Sequence, residues 1–131
     1  MKKKIFYCLI TGVLLSCSSN ETLQVGNKTS LQIEPEFNAG NIMLGEEIES
    51  VFHIKNTGKY PLLLSDVKGS CSCTVVDFPD EPLAPGKSEE IRARVETKNA
   101  SVGQLMKEIR IVANTDPSLT LVKVKANVYR K

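Results

Sequence analysis

Residues 56–74 read NTGKYPLLLSDVKGSCSCT and carry the clearest turn and strand signals of the chain. Asn56-Thr57-Gly58 contains residues that tolerate left-handed backbone angles, so it predicts a reversal of the chain. The run Leu62-Leu63-Leu64 predicts a strand that places at least two side chains in the core. A bend then leads to two cysteines one residue apart, Cys71 and Cys73. This order is typical of the middle of a β-sandwich.

Alternation of apolar and polar residues continues on both sides of that stretch. One stretch has apolar residues at positions of the same parity, namely Ile48, Phe52 and Ile54. A second stretch does the same with Ile91, Ala93 and Val95. Period-two alternation indicates strands with one buried face. No stretch of helical periodicity competes with it. Short strands with turn signals at about ten-residue spacing predict an all-β fold, an immunoglobulin-like β-sandwich of about seven antiparallel strands.

Three local features refine this prediction. Pro35 interrupts the first strand and marks it as an edge strand, because proline cannot donate to a sheet. The residues Asn38-Ala39-Gly40-Asn41 predict a turn. Leu119 and Leu121 have the wrong parity for the buried face of the last strand, which favours a bulge or a change of sheet near Leu121.

Residues 1–16 have the order of a bacterial lipoprotein signal peptide. Three lysines precede an apolar run that is shorter than the roughly 20 residues of a membrane span. Leu14-Leu15-Ser16-Cys17 resembles a lipobox, so we expect cleavage before Cys17 and acylation of that cysteine, with two or more acyl chains giving firm anchoring. The alternative is an ordinary secreted protein in which Cys17 has no role.

The rest of the chain divides into a tether and one domain. Residues 17–30 are polar and turn-rich and predict a lipidated N-terminus with a flexible tether. Residues 31–131 form the predicted sandwich domain. Because no acidic run follows Cys17, the expected location is the cell envelope, lipid-anchored to the outer membrane on its periplasmic face.

The charge of the mature chain argues against a nucleic-acid partner. The full sequence has a formal net charge of +2, from 17 Lys and Arg against 15 Asp and Glu. Removal of Lys2, Lys3 and Lys4 with the leader leaves 14 against 15, close to neutral. A nucleic-acid binder would show a clustered basic face. Aromatic residues are few and tryptophan is absent, so a platform for stacking bases or sugars has little to be built from.

Several stretches together resemble domain of unknown function (DUF) family 1573, which is widespread in Bacteroidetes and often found on secreted or lipidated proteins. The stretches that carry the likeness are Phe37-Asn38-Ala39-Gly40, 52–58, Pro61-Leu62, 67–74, Leu83-Ala84-Pro85-Gly86, Gly103 and Ile111-Val112-Ala113-Asn114. The family is similar to the immunoglobulin-like modules of the ASPM, SPD-2 and Hydin type and to PapD-like sandwiches. The resemblance implies this fold and an envelope location, and it implies no activity.

Cys71 and Cys73 allow three interpretations. In an extended strand their Cβ atoms would lie about 6.6 Å apart, whereas a disulfide needs about 3.8 Å, so a bond requires a bend at Ser72. They can be unpaired core residues, a strained disulfide in an oxidising compartment, or a soft-metal or redox thiol site. The single histidine, His53, lies on the polar parity of its strand, where an exposed imidazole is expected rather than a metal ligand.

No motif predicts catalysis, a cofactor, a metal or a small-molecule substrate. A nucleophile elbow and a glycine-rich phosphate loop are both missing from the sequence. We therefore expect no enzyme but a lipid-anchored binding or scaffolding module that contacts an unidentified envelope protein, through the Pro35-interrupted strand or the cysteine edge. The alternative is a thiol-based metal-binding or redox protein that uses Cys71 and Cys73.

Overall fold

A computed structural model describes residues 26–131, which form eight strands and no helix. None of these residues therefore belongs to a helix that could cross a membrane. The strands are β1 (Leu31–Gln32), β2 (Glu36–Met43), β3 (Glu47–Asn56), β4 (Leu64–Gly69), β5 (Thr74–Asp77), β6 (Ser88–Glu96), β7 (Gly103–Ala113) and β8 (Leu119–Tyr129).

Two four-stranded sheets pack face to face. The first sheet has the order β1-β3-β6-β5 and the second has the order β2-β8-β7-β4. All neighbouring strands are antiparallel except β2 and β8, which are parallel. This arrangement confirms the predicted all-β, immunoglobulin-like sandwich. The sandwich has eight strands where about seven were expected, and it differs from the antiparallel expectation in the parallel pair of β2 and β8.

Pro35 explains the additional strand. Before it, β1 pairs with β3, Leu31 opposite Asn56. After it, β2 pairs with β8 in the other sheet. Proline has no N–H to donate, but the Pro35 carbonyl accepts a hydrogen bond of 3.0 Å from the Lys123 N–H. The proline therefore lies where one edge segment passes from the first sheet to the second.

The predicted turn at residues 38–41 is instead a bulge inside β2. Asn38 pairs with Lys125, and Asn41 pairs with Asn127, so β2 holds one more residue than β8 over this interval. Gly40 has a φ of 73°, and its N–H donates a hydrogen bond of 2.9 Å to the Asn38 side chain. Glycine adopts this left-handed angle without the steric cost of a Cβ atom, which is why the extra residue fits.

The expected irregularity near Leu121 is absent from the structure. The pairs between β7 and β8 run without a register shift from Gly103 and Val128 to Val112 and Leu119. Leu119 and Leu121 simply point away from the core, on the outer face of the second sheet, and are exposed. Their parity was interpreted correctly, but the inference of a bulge was wrong because a strand can carry apolar residues on its solvent face.

The core lies between the sheets and is built by the alternating residues of the long strands. Its largest fully buried side chain is Phe52, which meets Phe37 of the second sheet edge-on, with ring centroids 6.3 Å apart. The buried apolar residues are Ile48, Phe52, Ile54, Leu62, Val67, Leu83, Ile91, Ala93, Val95, Leu105, Ile109, Ile111, Ala113, Val122, Val124, Ala126 and Val128. Burial of each large side chain contributes about 1.5–3 kcal/mol.

The sandwich has two distinct ends. The proximal end comprises the first described residues, 26–30, with the connections 57–63, 78–87 and 114–118. The distal end comprises the connections 44–46, 70–73 and 97–102. The eleven residues of β7 run between the two ends, a length of about 33 Å at roughly 3.3 Å per residue.

Candidate functional site

Asn56 is the central polar residue of the proximal end, and its side chain is fully buried. Its Oδ1 accepts hydrogen bonds from the Thr29 hydroxyl at 2.9 Å and from the Gly58 N–H at 3.0 Å. Its Nδ2 donates to the carbonyls of Tyr60 at 2.7 Å and Leu83 at 2.8 Å. All four hydrogen-bonding positions of the amide are thus used. One side chain joins the N-terminal segment to two connections of the proximal end.

Gly58 is required for a close approach rather than for a left-handed angle. The sequence predicted a reversal of the chain here from residues that tolerate left-handed backbone angles, but the φ of Gly58 is not positive. A Cβ atom at this position would overlap the Thr29 hydroxyl oxygen and would lie 2.6 Å from the Ser30 nitrogen. Gly58 therefore allows residues 29 and 30 to pass directly over the end of β3.

Asn114 holds the same N-terminal segment from the other sheet. Its Nδ2 donates to the carbonyls of Asn27 at 3.0 Å and Pro61 at 2.9 Å, and its Oδ1 accepts from the Leu63 N–H at 2.7 Å. Its carbonyl accepts from the Thr29 N–H at 2.9 Å. The place where the chain enters the sandwich is therefore defined by hydrogen bonds to both sheets.

The long connection between β5 and β6 closes the proximal end. Leu62 and Leu83 exchange two backbone hydrogen bonds of 2.9 Å. The Asn56 N–H donates to the Lys87 carbonyl at 3.0 Å, and the Gly86 N–H donates to the Asn56 carbonyl at 2.8 Å. Proline limits the backbone freedom of this connection at positions 79, 82 and 85. The proximal end is consequently a hydrogen-bonded unit rather than a set of independent loops.

Sequence reasoning did not identify Asn56 and Asn114 as structural centres. Asn56 continues the inward-facing positions of Phe52 and Ile54. A polar residue at a predicted core position was therefore the signal by which the sequence could have identified it. Asn114 follows the buried Ala113 and has no such signal. Its partners are distant in sequence, 51 residues away at Leu63 and 87 at Asn27.

Cys71 and Cys73 form a disulfide at the distal end, with their Cα atoms 5.2 Å apart. The chain turns over residues 70–73, and β5 begins only at Thr74. The chain therefore bends between the two cysteines, as a bond between them requires. Both cysteines are half-buried and bonded to each other in this structure, which differs from the interpretation as unpaired core residues.

Backbone hydrogen bonds hold the cysteine turn to both sheets. On the side of the second sheet, the Ser70 N–H donates to the Glu108 carbonyl at 2.8 Å. On the side of the first sheet, the Cys73 carbonyl accepts from the Glu96 N–H at 2.9 Å. Gly69 packs so closely that a Cβ atom there would lie 2.6 Å from the Thr74 Cγ2. The disulfide therefore lies where the chain crosses between the sheets.

The Thr74 hydroxyl is placed next to both sulfur atoms. Its Oγ1 lies 3.6 Å from the Cys71 Sγ and 3.9 Å from the Cys73 Sγ, and Thr74 is 8% exposed. A hydroxyl in this position can donate to whichever sulfur becomes a thiolate, and donors to the thiolate favour that form. The chemistry available to this group is thiol–disulfide exchange.

His53 lies on the outer face of the first sheet, exposed as predicted. Its Nδ1 is 3.2 Å from a Glu34 carboxylate oxygen, and its Nε2 is 3.8 Å from a Glu90 oxygen. The other Glu34 oxygen accepts a hydrogen bond of 2.8 Å from the His53 backbone N–H. Hydrogen bonds from the backbone N–H groups of Glu34 itself and of His53 hold the pKa of Glu34 below its ordinary value.

Side chains that could bind a metal do not form a cluster in the part of the chain that the structure describes. Residues 26–131 contain no group of three or more His, Cys, Asp and Glu side chains that could hold a metal ion. Cys17, the predicted site of lipidation, lies outside the described residues, as do the predicted signal peptide and most of the tether.

Exposed apolar side chains divide between the two ends of the sandwich. Among residues 26–131 there are eight large ones. Those nearer the proximal end, between 38% and 45% exposed, are Tyr60, Leu63, Leu119 and Leu121. Those nearer the distal end are Val75, Val102, Met106 and Tyr129. Of the eight, the three most exposed are distal: Val102 at 56%, Met106 at 54% and Val75 at 49%.

Solved structures confirm the sandwich fold. One is a protein of unknown function from Porphyromonas gingivalis W83, which is 24% identical, with a TM-score of 0.67 over 83% of this chain and 51% of that one. This chain therefore spans about half of that protein. The PapD-like domain 7 of human CEP192 is 7% identical, with a TM-score of 0.63 over 95% of this chain and 99% of that one.

A third similar structure belongs to a larger protein. The VesB protease of Vibrio cholerae is 15% identical, with a TM-score of 0.58 over 75% of this chain and 31% of that one. At these identities the likeness shows the fold alone. A search of the curated proteins found no match. The sequence profile described as protein of unknown function DUF1573 matches residues 20–128, and the chain therefore belongs to that family.

Proposed function

We propose that the protein is a lipid-anchored, non-catalytic module of the cell envelope that binds or scaffolds another envelope protein through its distal end. The observation that carries this proposal is the position of Val75, Val102 and Met106. These are the three most exposed large apolar side chains, and they surround the end opposite the one where the chain from Cys17 enters. Val75 lies in β5 of the first sheet, Met106 in β7 of the second, and Val102 in the connection that leads into β7, so this end offers apolar contacts on more than one side.

The distal end is also organised for binding. The disulfide and the hydrogen bonds of the cysteine turn reduce the freedom of the connection between β4 and β5, and a pre-ordered surface loses less conformational entropy on binding. Next to Met106, the β2 bulge borders a groove of about 410 Å³, which Asn38, Asn41 and Asn127 help to line. Amide side chains beside apolar ones give such a surface both hydrogen-bonding and hydrophobic contacts.

Location in the envelope rests on two features. The lipobox-like residues ending at Cys17 support anchoring to the outer membrane, with the domain on the periplasmic face. The disulfide fits an oxidising compartment, because such bonds persist outside the cytosol. If Cys17→Ala partitions into detergent as the wild type does, the lipid anchor is wrong.

Photo-crosslinking in native envelopes tests the binding surface. A photoreactive amino acid at Val102 or Met106 is expected to give a discrete crosslinked product with one envelope protein. The matched control position is Lys55, which is exposed on the outer face of the first sheet near the proximal end, where it pairs with Ser88. Products of equal yield at all three positions, or none at the distal pair, would contradict the proposal.

Thiol–disulfide exchange is a second candidate, favoured by the contact of Thr74 with both sulfurs. In this reaction a thiolate of a dithiol protein attacks one sulfur of the Cys71–Cys73 bond and forms a mixed disulfide. Its second thiol then displaces this protein, which leaves with two thiols while the partner becomes oxidised. Thiol titration of the folded protein tests it. If a dithiol reductant releases both thiols only after denaturation, this candidate fails.

A further inference from the structure

The proximal end is the part of the domain that stays nearest to the anchor. Thr29 donates hydrogen bonds to the Asn56 side chain and the Asn114 carbonyl, and Asn114 Nδ2 donates to the Asn27 carbonyl, so this segment is tied to that end. Nine peptide links separate Cys17 from Gly26, and a fully extended chain of that length spans at most about 30 Å. This is no longer than the sandwich itself, so the tether cannot bring the distal end to the bilayer without lying along the whole domain.

Apolar side chains are exposed on this same end. Leu119 pairs across the strands with Val112, and both point to the outer face of the second sheet. Leu121 is the next outward residue of β8. On the other side of β7, the Leu63 carbonyl accepts a hydrogen bond of 3.3 Å from the Asn114 N–H. We define Leu63, Val112, Leu119 and Leu121 as the proximal patch.

Tyr60 lies at the tip of the same end and is 45% exposed. Its carbonyl is held by the Asn56 amide, so the position of its backbone is fixed. Tyrosine is enriched where membrane meets water, because its ring is apolar and its hydroxyl can remain hydrated. An exposed tyrosine at the same end as exposed leucines thus matches the boundary between headgroups and acyl chains.

The charges of the proximal end nearly cancel. Lys28 lies 3.8 Å from Asp116 in an exposed ion pair. Elsewhere at this end, Lys59 and Lys87 are balanced in number by Asp80 and Glu81. An attraction to anionic lipid would need an excess of lysine and arginine. Beside the patch, the exposed Arg110 pairs with Leu121 and adds one positive charge. The contact that this surface can make with a membrane is therefore mainly apolar, and most of it should not depend on salt.

We propose that the proximal end lies against the membrane surface, with Tyr60 and the proximal patch entering the boundary between headgroups and acyl chains. The proposal rests on the anchoring at Cys17 proposed above. In this orientation the long axis of the sandwich stands away from the bilayer. The distal end, with its disulfide and its exposed Val102 and Met106, then faces outward toward a protein partner.

Spin labelling of the full lipidated protein in vesicles tests this orientation. A single cysteine at Leu63 or Leu121 is labelled with a nitroxide, and one at Val102 or Glu49 provides the control. Acylation of Cys17 and the Cys71–Cys73 bond leave the introduced thiol as the target. The vesicles consist of phosphatidylethanolamine and phosphatidylglycerol and contain a nickel-chelating lipid, whose bound nickel speeds the relaxation of nitroxides close to the membrane surface. This relaxation is expected to be several-fold stronger for the labels at Leu63 or Leu121 than for the control labels. Equal relaxation at both ends, or stronger relaxation at Val102, would overturn the proposal.

Two further experiments test whether apolar side chains make the membrane contact. The double variant Leu119→Ser, Leu121→Ser removes exposed apolar groups without touching the core, and it is expected to abolish the excess relaxation at Leu63. Val75→Ser is the matched control and should leave it unchanged. The excess should also persist at about 1 M salt, where the screening length is about 3 Å. Its loss in salt, or its survival in the double variant, would contradict an apolar membrane contact.

The outcomes separate this proposal from the proposal of lipid anchoring. If the wild type does not remain with the vesicles on flotation, the anchor at Cys17 is wrong. If it floats with the vesicles but its two ends relax equally, the anchor stands and the orientation is wrong. Cys17→Ala, which retains the proximal patch, is expected to be lost from the vesicles because the patch alone is small.

Discussion

The Thr29 hydroxyl donates a hydrogen bond of 2.9 Å to the buried Oδ1 of Asn56, which joins the start of the domain to the end of β3. This bond links residues that are 27 positions apart. It belongs to a set in which two asparagines, Asn56 and Asn114, hold the N-terminal segment between the two sheets. The proximal end is therefore where stability and the direction of the tether are determined together.

Asn56→Ala is expected to lower the free energy of unfolding by roughly 2–4 kcal/mol. The substitution leaves the Thr29 hydroxyl, the Gly58 N–H and two carbonyls without their partner, and an unsatisfied buried group costs about 1–3 kcal/mol. Urea unfolding measures the loss. Asn99→Ala, at an exposed side chain in the connection between β6 and β7, is the control. A loss below about 1 kcal/mol for Asn56→Ala would contradict the central role of this side chain.

Gly58→Ala is expected to destabilise the domain by more than about 2 kcal/mol, because overpacking forces displacement of neighbouring backbone. The added methyl group would meet the Thr29 hydroxyl oxygen and the Ser30 nitrogen. The melting temperature checks this, with Lys59→Ala as the neighbouring control. If Gly58→Ala melts like the control, the close approach is not a constraint.

Loss of the Cys71–Cys73 bond is expected to cost only about 1–2 kcal/mol, because its closed loop is three residues long and stabilisation by a crosslink grows with loop length. Urea unfolding of a double Cys→Ser variant, compared with the wild type with and without reductant, measures it. The reduced wild type should match the variant. A cost well above this range would indicate that the turn organises more of the distal end than its hydrogen bonds suggest.

The pKa of Glu34 predicts a dependence of stability on pH. Since the pKa is lowered in the folded state from its ordinary value of 4.5, the carboxylate contributes stability above that value. The contribution is lost as the pH falls through the lowered folded pKa. The difference in unfolding free energy between wild type and Glu34→Gln should therefore be present at neutral pH and shrink in acid. Glu49→Gln, on the same face of the sheet, controls for the loss of a charge. A difference that grows below pH 4 would contradict this sign.

The buried faces of the long strands were predictable from the sequence. Phe52, Ile91, Ile111 and Val124 each lie on a parity that alternation assigned to the core, and each is buried. Alternation is a local property, because successive side chains of a strand point to opposite faces. For the same reason the fold class and the exposure of His53 followed from short stretches of sequence. Lipidation of Cys17 stays a prediction.

Features that depend on distant partners were decided only by the tertiary structure. Pro35 divides one edge segment between two sheets because β3 and β8 offer their free edges at that point. Gly58 is needed because Thr29 passes over it. Cys71 and Cys73 bond because the crossing from the second sheet to the first bends the chain between them. Local pattern determines which side of a strand faces inward, whereas the neighbour on that side is determined by how the whole chain packs.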